Sequence, residues 1–158
     1  MISATFVRQI EARPSIVFDA LSTAEGISAW WGGAGKAMVK ELDLRVGGAY
    51  RVQFYSTDGG EHEVFGEYLV VAPHTRLVWT WNYVPDGGGE PDEYGNTSQV
   101  EAVLRPISDG VTELTFTHAK LQTEKSKASH TYGWPEAFVR LEQFLAAPAT
   151  ESKRAGSP

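Results

Sequence analysis

The chain has 158 residues, a formal net charge of −6 at pH 7, a sequence pI near 5.2 and no cysteine. That length fits one domain able to build a core without metal or disulfide. The acidic balance argues against nucleic acid or anionic membrane as the main partner, and the missing thiols exclude disulfides, thiolate zinc sites and a cysteine nucleophile.

Met1 to Arg8 shows no basic stretch followed by a long apolar run, so no signal peptide is visible, and no apolar run approaches the ~20 residues of a membrane span. The expectation is a cytoplasmic protein. Ala4 to Ile10 alternates as a first strand. Pro14 suits the first turn of a helix, where its missing N–H is not needed, and Val17, Phe18, Ala20 and Leu21 give that helix a buried face. Ser22, Thr23, Ala24 and Glu25 form a capping-box pattern that starts a second short helix. Its Ile27, Trp30 and Trp31 fall at i, i+3 and i+4 before Gly32, Gly33, Ala34 and Gly35 end it. Two short helices thus interrupt the sheet at one edge.

From Lys36 the period becomes two. Ala37 to Asp43 reads as a strand, and Gly47 and Gly48 turn the chain into Ala49–Ser56, where Tyr50, Val52 and Phe54 share a face. Asp58, Gly59 and Gly60 signal a hairpin. The next strand runs from Glu61 to Val71, with His62, Val64, Gly66, Tyr68 and Val70 on one side. Ala72, Pro73 and His74 turn into Arg76–Asn82, where Leu77, Trp79 and Trp81 point one way. Asp86 to Asn96 is an acidic, glycine-rich loop. Thr97–Pro106 and Val111–Lys120 form a hairpin with inward sets Val100, Ala102, Leu104 and Leu114, Phe116, His118. A last helix spans Glu124 to Ala147. Residues 1–148 then form one domain, and 149–158 a polar tail.

On that last helix His130, Trp134, Phe138, Leu141 and Leu145 share one face. Its first half carries a histidine and a tryptophan, its second half plain apolar packing. Hairpin-linked strands are antiparallel neighbours, and the only long apolar helix must cover their buried face. The fold class is α+β.

The order and residues resemble the activator-of-heat-shock-protein-90-ATPase-homologue-like family of the START-like superfamily, which has the helix-grip fold. The resemblance rests on Pro14 to Phe18 with Ala20 and Leu21, on Glu25, Trp30 and Trp31, and on Asp43 to Gly48 with Tyr50. It continues through Gly66 to Pro73 with Leu77 and Trp79, and ends on His130, Gly133, Trp134 and Leu141. It covers about residues 3 to 147. It implies a seven-stranded curved antiparallel sheet around a long C-terminal helix, a cavity between them, and two short helices closing one end. Pro135 departs from the pattern and should kink the helix or start a new first turn.

The candidate ligand-binding residues are Trp30, Trp31, Tyr50, Phe54, Tyr68, Trp79, Trp81, Phe116, His118, His130, Trp134 and Phe138, since aromatic side chains with polar handles line pockets as well as fill cores. Trp134, Trp79 and Phe116 are expected to border one pocket, with His118 or His130 at its edge. The two histidines suit a ligand's polar group or an acid–base pair; the plain alternative is a buried histidine hydrogen-bonded to Tyr, Thr or backbone. No H-x-x-x-H or H-x-H spacing occurs, so no metal site and no cofactor are expected. Gly32 to Lys36 lacks the glycine spacing and the Ser/Thr of a phosphate loop.

The leading expectation is therefore a non-catalytic protein that holds a small apolar or amphipathic molecule. A cyclase or hydrolase-like enzyme using His118 and His130 is the alternative, and a co-chaperone-like interaction module a third. A homodimer and a chaperone are the protein partners these readings admit.

Overall fold

Alternation at a period of two drives most of this chain into strands, because each strand has one face to bury. The computed structural model describes residues 2–31, 37–55, 61–84 and 97–146. Strand β1 (Ile2–Ile10) is followed by helices α1 (Pro14–Ser22) and α2 (Ala24–Trp30). Then come β2 (Met38–Leu42), β3 (Ala49–Tyr55), β4 (Glu61–Ala72), β5 (Arg76–Val84), β6 (Ser98–Ser108), β7 (Val111–Leu121) and helix α3 (Glu124–Ala146). The expected turns at 32–35 and 58–60, the loop at 86–96 and the tail at 149–158 lie outside the described residues.

The strands form one seven-stranded sheet in the order β1-β7-β6-β5-β4-β3-β2, with every pairing antiparallel. Only β1 departs from sequential order, by pairing with β7. The two short helices therefore carry the chain from one edge of the sheet to the other, rather than interrupting a single edge. Helix α3 packs against α1, α2, β1 and β7. This is the helix-grip architecture. Its core holds the expected inward sets: Val100, Ala102 and Leu104 on β6, Leu114, Phe116 and His118 on β7, and Phe138, Leu141 and Leu145 on α3 are all buried.

Two local expectations need correction, and one of the two alternatives at Pro135 falls away. Thr23, not Ser22, caps α2: its Oγ1 accepts the Gly26 N–H at 3.1 Å, while the Ser22 hydroxyl donates back to the Phe18 carbonyl at 2.7 Å. Strict alternation along β4 fails after Tyr68, where a bulge shifts the register before Val70. Val71 then packs against the core and Leu69 is exposed. Finally, Pro135 starts no new helix, because α3 runs unbroken from Glu124, with Thr123 Oγ1 accepting the Ser126 N–H at its start. An interior proline removes one donor from the helix, and here that donor would have faced the Thr131 carbonyl.

Two turns explain their residues. Gly47 has φ +84°, a left-handed conformation that suits glycine. At the β4–β5 turn the Thr75 N–H donates to the Ala72 carbonyl at 3.0 Å, with Pro73 first and His74 second between them. His74 adopts φ +70°, the sign that the second position of a proline-led turn of type II requires. At the far edge, β2 has five residues, shifts register between Val39 and Glu41, and exposes Lys40 and Glu41.

Candidate functional site

The site begins at the junction of α1 and α2. At the last turn of α1, where backbone donors run out, side chains add donors to the carbonyls. Ser22 serves Phe18, the Thr23 hydroxyl serves Asp19 at 2.7 Å, and the Trp30 indole N–H serves Ala20 at 3.0 Å. Gly26 makes the approach possible, since a Cβ there would lie 2.3 Å from the Ala20 oxygen. The junction thereby fixes Trp30 at the end of α2 and delivers Trp31, the C-cap residue, into the core beside it.

Strand β5 presents Trp79 and Trp81 on its inward face, β7 presents Phe116 and His118, and α3 presents His130, Trp134 and Phe138. Trp134 sits 4.6 Å from Phe116, 5.0 Å from Trp81 and 6.0 Å from Trp30, measured between ring centroids. Trp31 stacks on Trp79 at 6.3 Å and lies 5.3 Å from Trp81. Tyr50 joins through Trp31 at 6.0 Å, and Tyr68 through Tyr50 at 5.8 Å. Phe138 meets Phe116 at 5.0 Å. All the expected site residues except Phe54 therefore belong to one connected aromatic layer between sheet and helix. Phe54 stacks instead on His62 at 5.6 Å, and His62 on Tyr83 at 5.6 Å, with the Tyr83 hydroxyl bonded to His62 Nδ1.

His118 and His130 meet at 4.3 Å between ring centroids. The hydrogen bonds fix their tautomers. An indole N–H only donates, so Trp134 Nε1–H at 3.1 Å makes His118 Nδ1 the acceptor. The neutral ring then carries its proton on Nε2 and donates to Ser98 Oγ at 2.7 Å, and Ser98 donates onward to the Trp81 carbonyl at 3.3 Å. Every polar atom in this chain is paired in one direction. In that tautomer His118 gives a proton to Ser98 and accepts none from it, so the pair is not arranged as base and nucleophile. His130 Nδ1–H donates to the Ser126 carbonyl at 2.8 Å, which leaves its Nε2 as a lone-pair acceptor at the edge of the layer. Burial pushes the pKa of His118 well below the ordinary histidine range, and the neighbouring His130 adds to the effect. Burial also lowers His130, against the opposing pull of its Ser126 bond. Burial raises Tyr50 and Tyr68 above the usual phenol range, with Tyr68 adding to the shift of Tyr50. The layer is uncharged at neutral pH.

Its donors do not balance. Trp30 and Trp134 have protein acceptors, but the buried indole N–H groups of Trp31, Trp79 and Trp81 have none among the described residues. Tyr50 spends its hydroxyl on the Thr80 carbonyl at 2.5 Å. Among the described residues no three His, Asp or Glu side chains are grouped to hold a metal ion.

Two polar members escaped the sequence reading. Ser98 extends the inward set of β6 backward by one period of two, and Ser126 precedes His130 by four residues on the same helical face. Both are buried. Periodicity alone would have found their faces, but not the pairing of Ser98 with a histidine 20 residues away.

The family model described as Activator of Hsp90 ATPase homolog 1-like protein matches residues 11–146. Among solved structures, a protein from Chromobacterium violaceum is 24% identical, with 92% of this chain and 97% of that chain covered at a TM-score of 0.77. A protein from Arthrobacter aurescens is 19% identical, covering 93% and 87% at a TM-score of 0.80. The AHSA1 protein from Silicibacter pomeroyi is 22% identical, covering 92% and 98% at a TM-score of 0.77. At such identities the likeness establishes the fold alone. No curated protein matches.

Proposed function

The chain belongs to the Activator of Hsp90 ATPase homolog 1-like family, and on that premise we propose that it binds a small apolar or amphipathic molecule against the aromatic layer between sheet and α3. The fold is one that commonly serves as a ligand binder, but the reading rests on this chain's own residues. The observation that carries it is the set of three buried indole donors, on Trp31, Trp79 and Trp81, without acceptors among the described residues. An unmet buried donor forfeits roughly 1–3 kcal/mol, so three in one cluster favour a guest that supplies acceptors. Trp134, packed on Phe116, 5.0 Å from Trp81 and bonded to His118, brings α3 against the same layer.

The hydrogen bonds of His118 support the non-catalytic form of this reading, since a base with both nitrogens engaged and the proton directed at Ser98 is not free to take one from substrate. Native mass spectrometry of protein purified from its own host tests the proposal. The expected result is a complex heavier than the chain by one small molecule, which is released on denaturation. A mass equal to the chain alone, with no thermal shift from any apolar probe, would overturn it.

A further inference from the structure

The polar inventory around the aromatic layer narrows the class of guest, and the narrowing rests on the binding reading above. Trp31 touches both Trp79 and Trp81, so the three indole rings that carry the unmet donors are neighbours in the layer. Each donor is neutral. Among the described residues no Lys, Arg, Asp or Glu is buried, and the buried polar ones are Ser22, Ser98, Thr112, His118 and Ser126. All five have protein partners. Among the described residues, Arg140 on α3 donates its Nε–H to the Trp30 carbonyl at 3.2 Å, with Glu136 beside it. Arg8 lies over the Phe138 ring at 5.2 Å, on the other side of Trp30 from Trp31 in the chain of ring contacts.

An ion taken from water into such a layer needs an opposite charge as well as hydrogen bonds, whereas a neutral carbonyl needs only donors. We propose that Trp31, Trp79 and Trp81 receive the oxygen of an uncharged carbonyl compound with an aromatic or aliphatic body, and that the site discriminates against the corresponding carboxylate. Indole N–H groups suit this role because they donate only, cannot ionise in the physiological range and bring apolar surface with them. The oxygen accepts two of the donors through its two lone pairs, and the rings stack on the body of the guest.

Three probes of nearly one shape separate the possibilities: 2-acetylnaphthalene, 2-isopropenylnaphthalene and 2-naphthoate. Calorimetric titration of the full chain should rank the ketone about three- to tenfold tighter than the hydrocarbon, the worth of one or two net hydrogen bonds, with the carboxylate weakest. In ¹⁵N-labelled protein the chain's five tryptophans report separately through their indole N–H resonances, assigned by single Trp→Phe replacements. The ketone should move resonances of Trp31, Trp79 or Trp81 downfield relative to the hydrocarbon complex. Those of Trp30 and Trp134, already bonded to Ala20 and His118, should show no such difference. Where a replacement fails to fold, the ranking of the three probes on the unaltered chain still decides.

A ketone that binds no tighter than the hydrocarbon overturns the inference, because the donors would then be served by something the guest does not displace, such as a resident water. A carboxylate that binds tightest also overturns it, assigning the anion to Arg140 while leaving the binding reading intact. If none of the three binds, the binding reading falls with it.

Discussion

Between Phe138 and Leu145, α3 buries Phe138, Leu141 and Leu145, none of which carries a hydrogen-bonding group. Between Ser126 and Trp134 the same stripe carries Ser126, His130 and Trp134, and all three do. One helix thus meets the sheet by two kinds of contact. The apolar half needs only volume to match, so it is forgiving of chemistry and sensitive to size. The polar half needs each donor to find its acceptor, so it is sensitive to chemistry even when size is kept.

The comparison is broken most sharply at Leu141, which has no exposed surface. Leu141→Ala should lower unfolding free energy by ~2–5 kcal/mol in urea titration, whereas Leu141→Met should stay within ~1.5 kcal/mol. Equal losses from both would mean that the apolar half is as particular as the polar one. Trp134→Phe keeps most of the ring but strands His118 Nδ1; a loss of ~1–3 kcal/mol is expected by the same titration. Pairing it with His118→Leu should give less than the sum of the single changes, since both break one bond.

The histidines make the polar half dependent on pH. Both are held below the ordinary histidine range, chiefly by burial, so below about pH 6.5 the unfolded chain binds more protons than the folded one. Their contribution is whole above that pH and is lost as pH falls towards their depressed values in the fold. Thermal unfolding should show stability dropping by roughly 1 kcal/mol per pH unit for each histidine in that window. His118→Asn should flatten the slope, and a slope unchanged by it would detach the effect from this pair. The smallest change is expected at His130, which is only half-buried. His130→Ala should remove one bond to Ser126 and reduce stability by about 0.5–1.5 kcal/mol, read by the same denaturation.

What sequence could and could not foretell divides along the same line. Period two placed Leu77, Trp79 and Trp81 on one face of β5, and period 3.6 placed Trp134, Phe138, Leu141 and Leu145 on one face of α3, because burial acts on every member of a face alike. The cap of α2 was misplaced by one residue because Ser22 and Thr23 both carry a hydroxyl, and only packing decides that Ser22 turns back onto α1. The β4 bulge was invisible because Tyr68, Leu69, Val70 and Val71 are all apolar, so nothing in their order marks where the alternation slips. The donor chain from Trp134 through His118 to Ser98 links three elements, and the orphaned indoles are defined by what their neighbours lack. Neither is a property of any local stretch.

The edge strand β2 has a consequence for the chain in concentrated solution. An unpaired strand edge invites other chains to add to it and so seeds aggregation. β2 discourages this with its five-residue length, its shift between Val39 and Glu41, and the opposed charges of the exposed Lys40 and Glu41. The opposite edge, β1, is nine residues long, and Arg8, over the ring of Phe138, is its only charged residue. If two copies of this chain ever join their sheets, β1 is the strand through which they will do so, and Val7, exposed in its middle, is where a lysine would stop them.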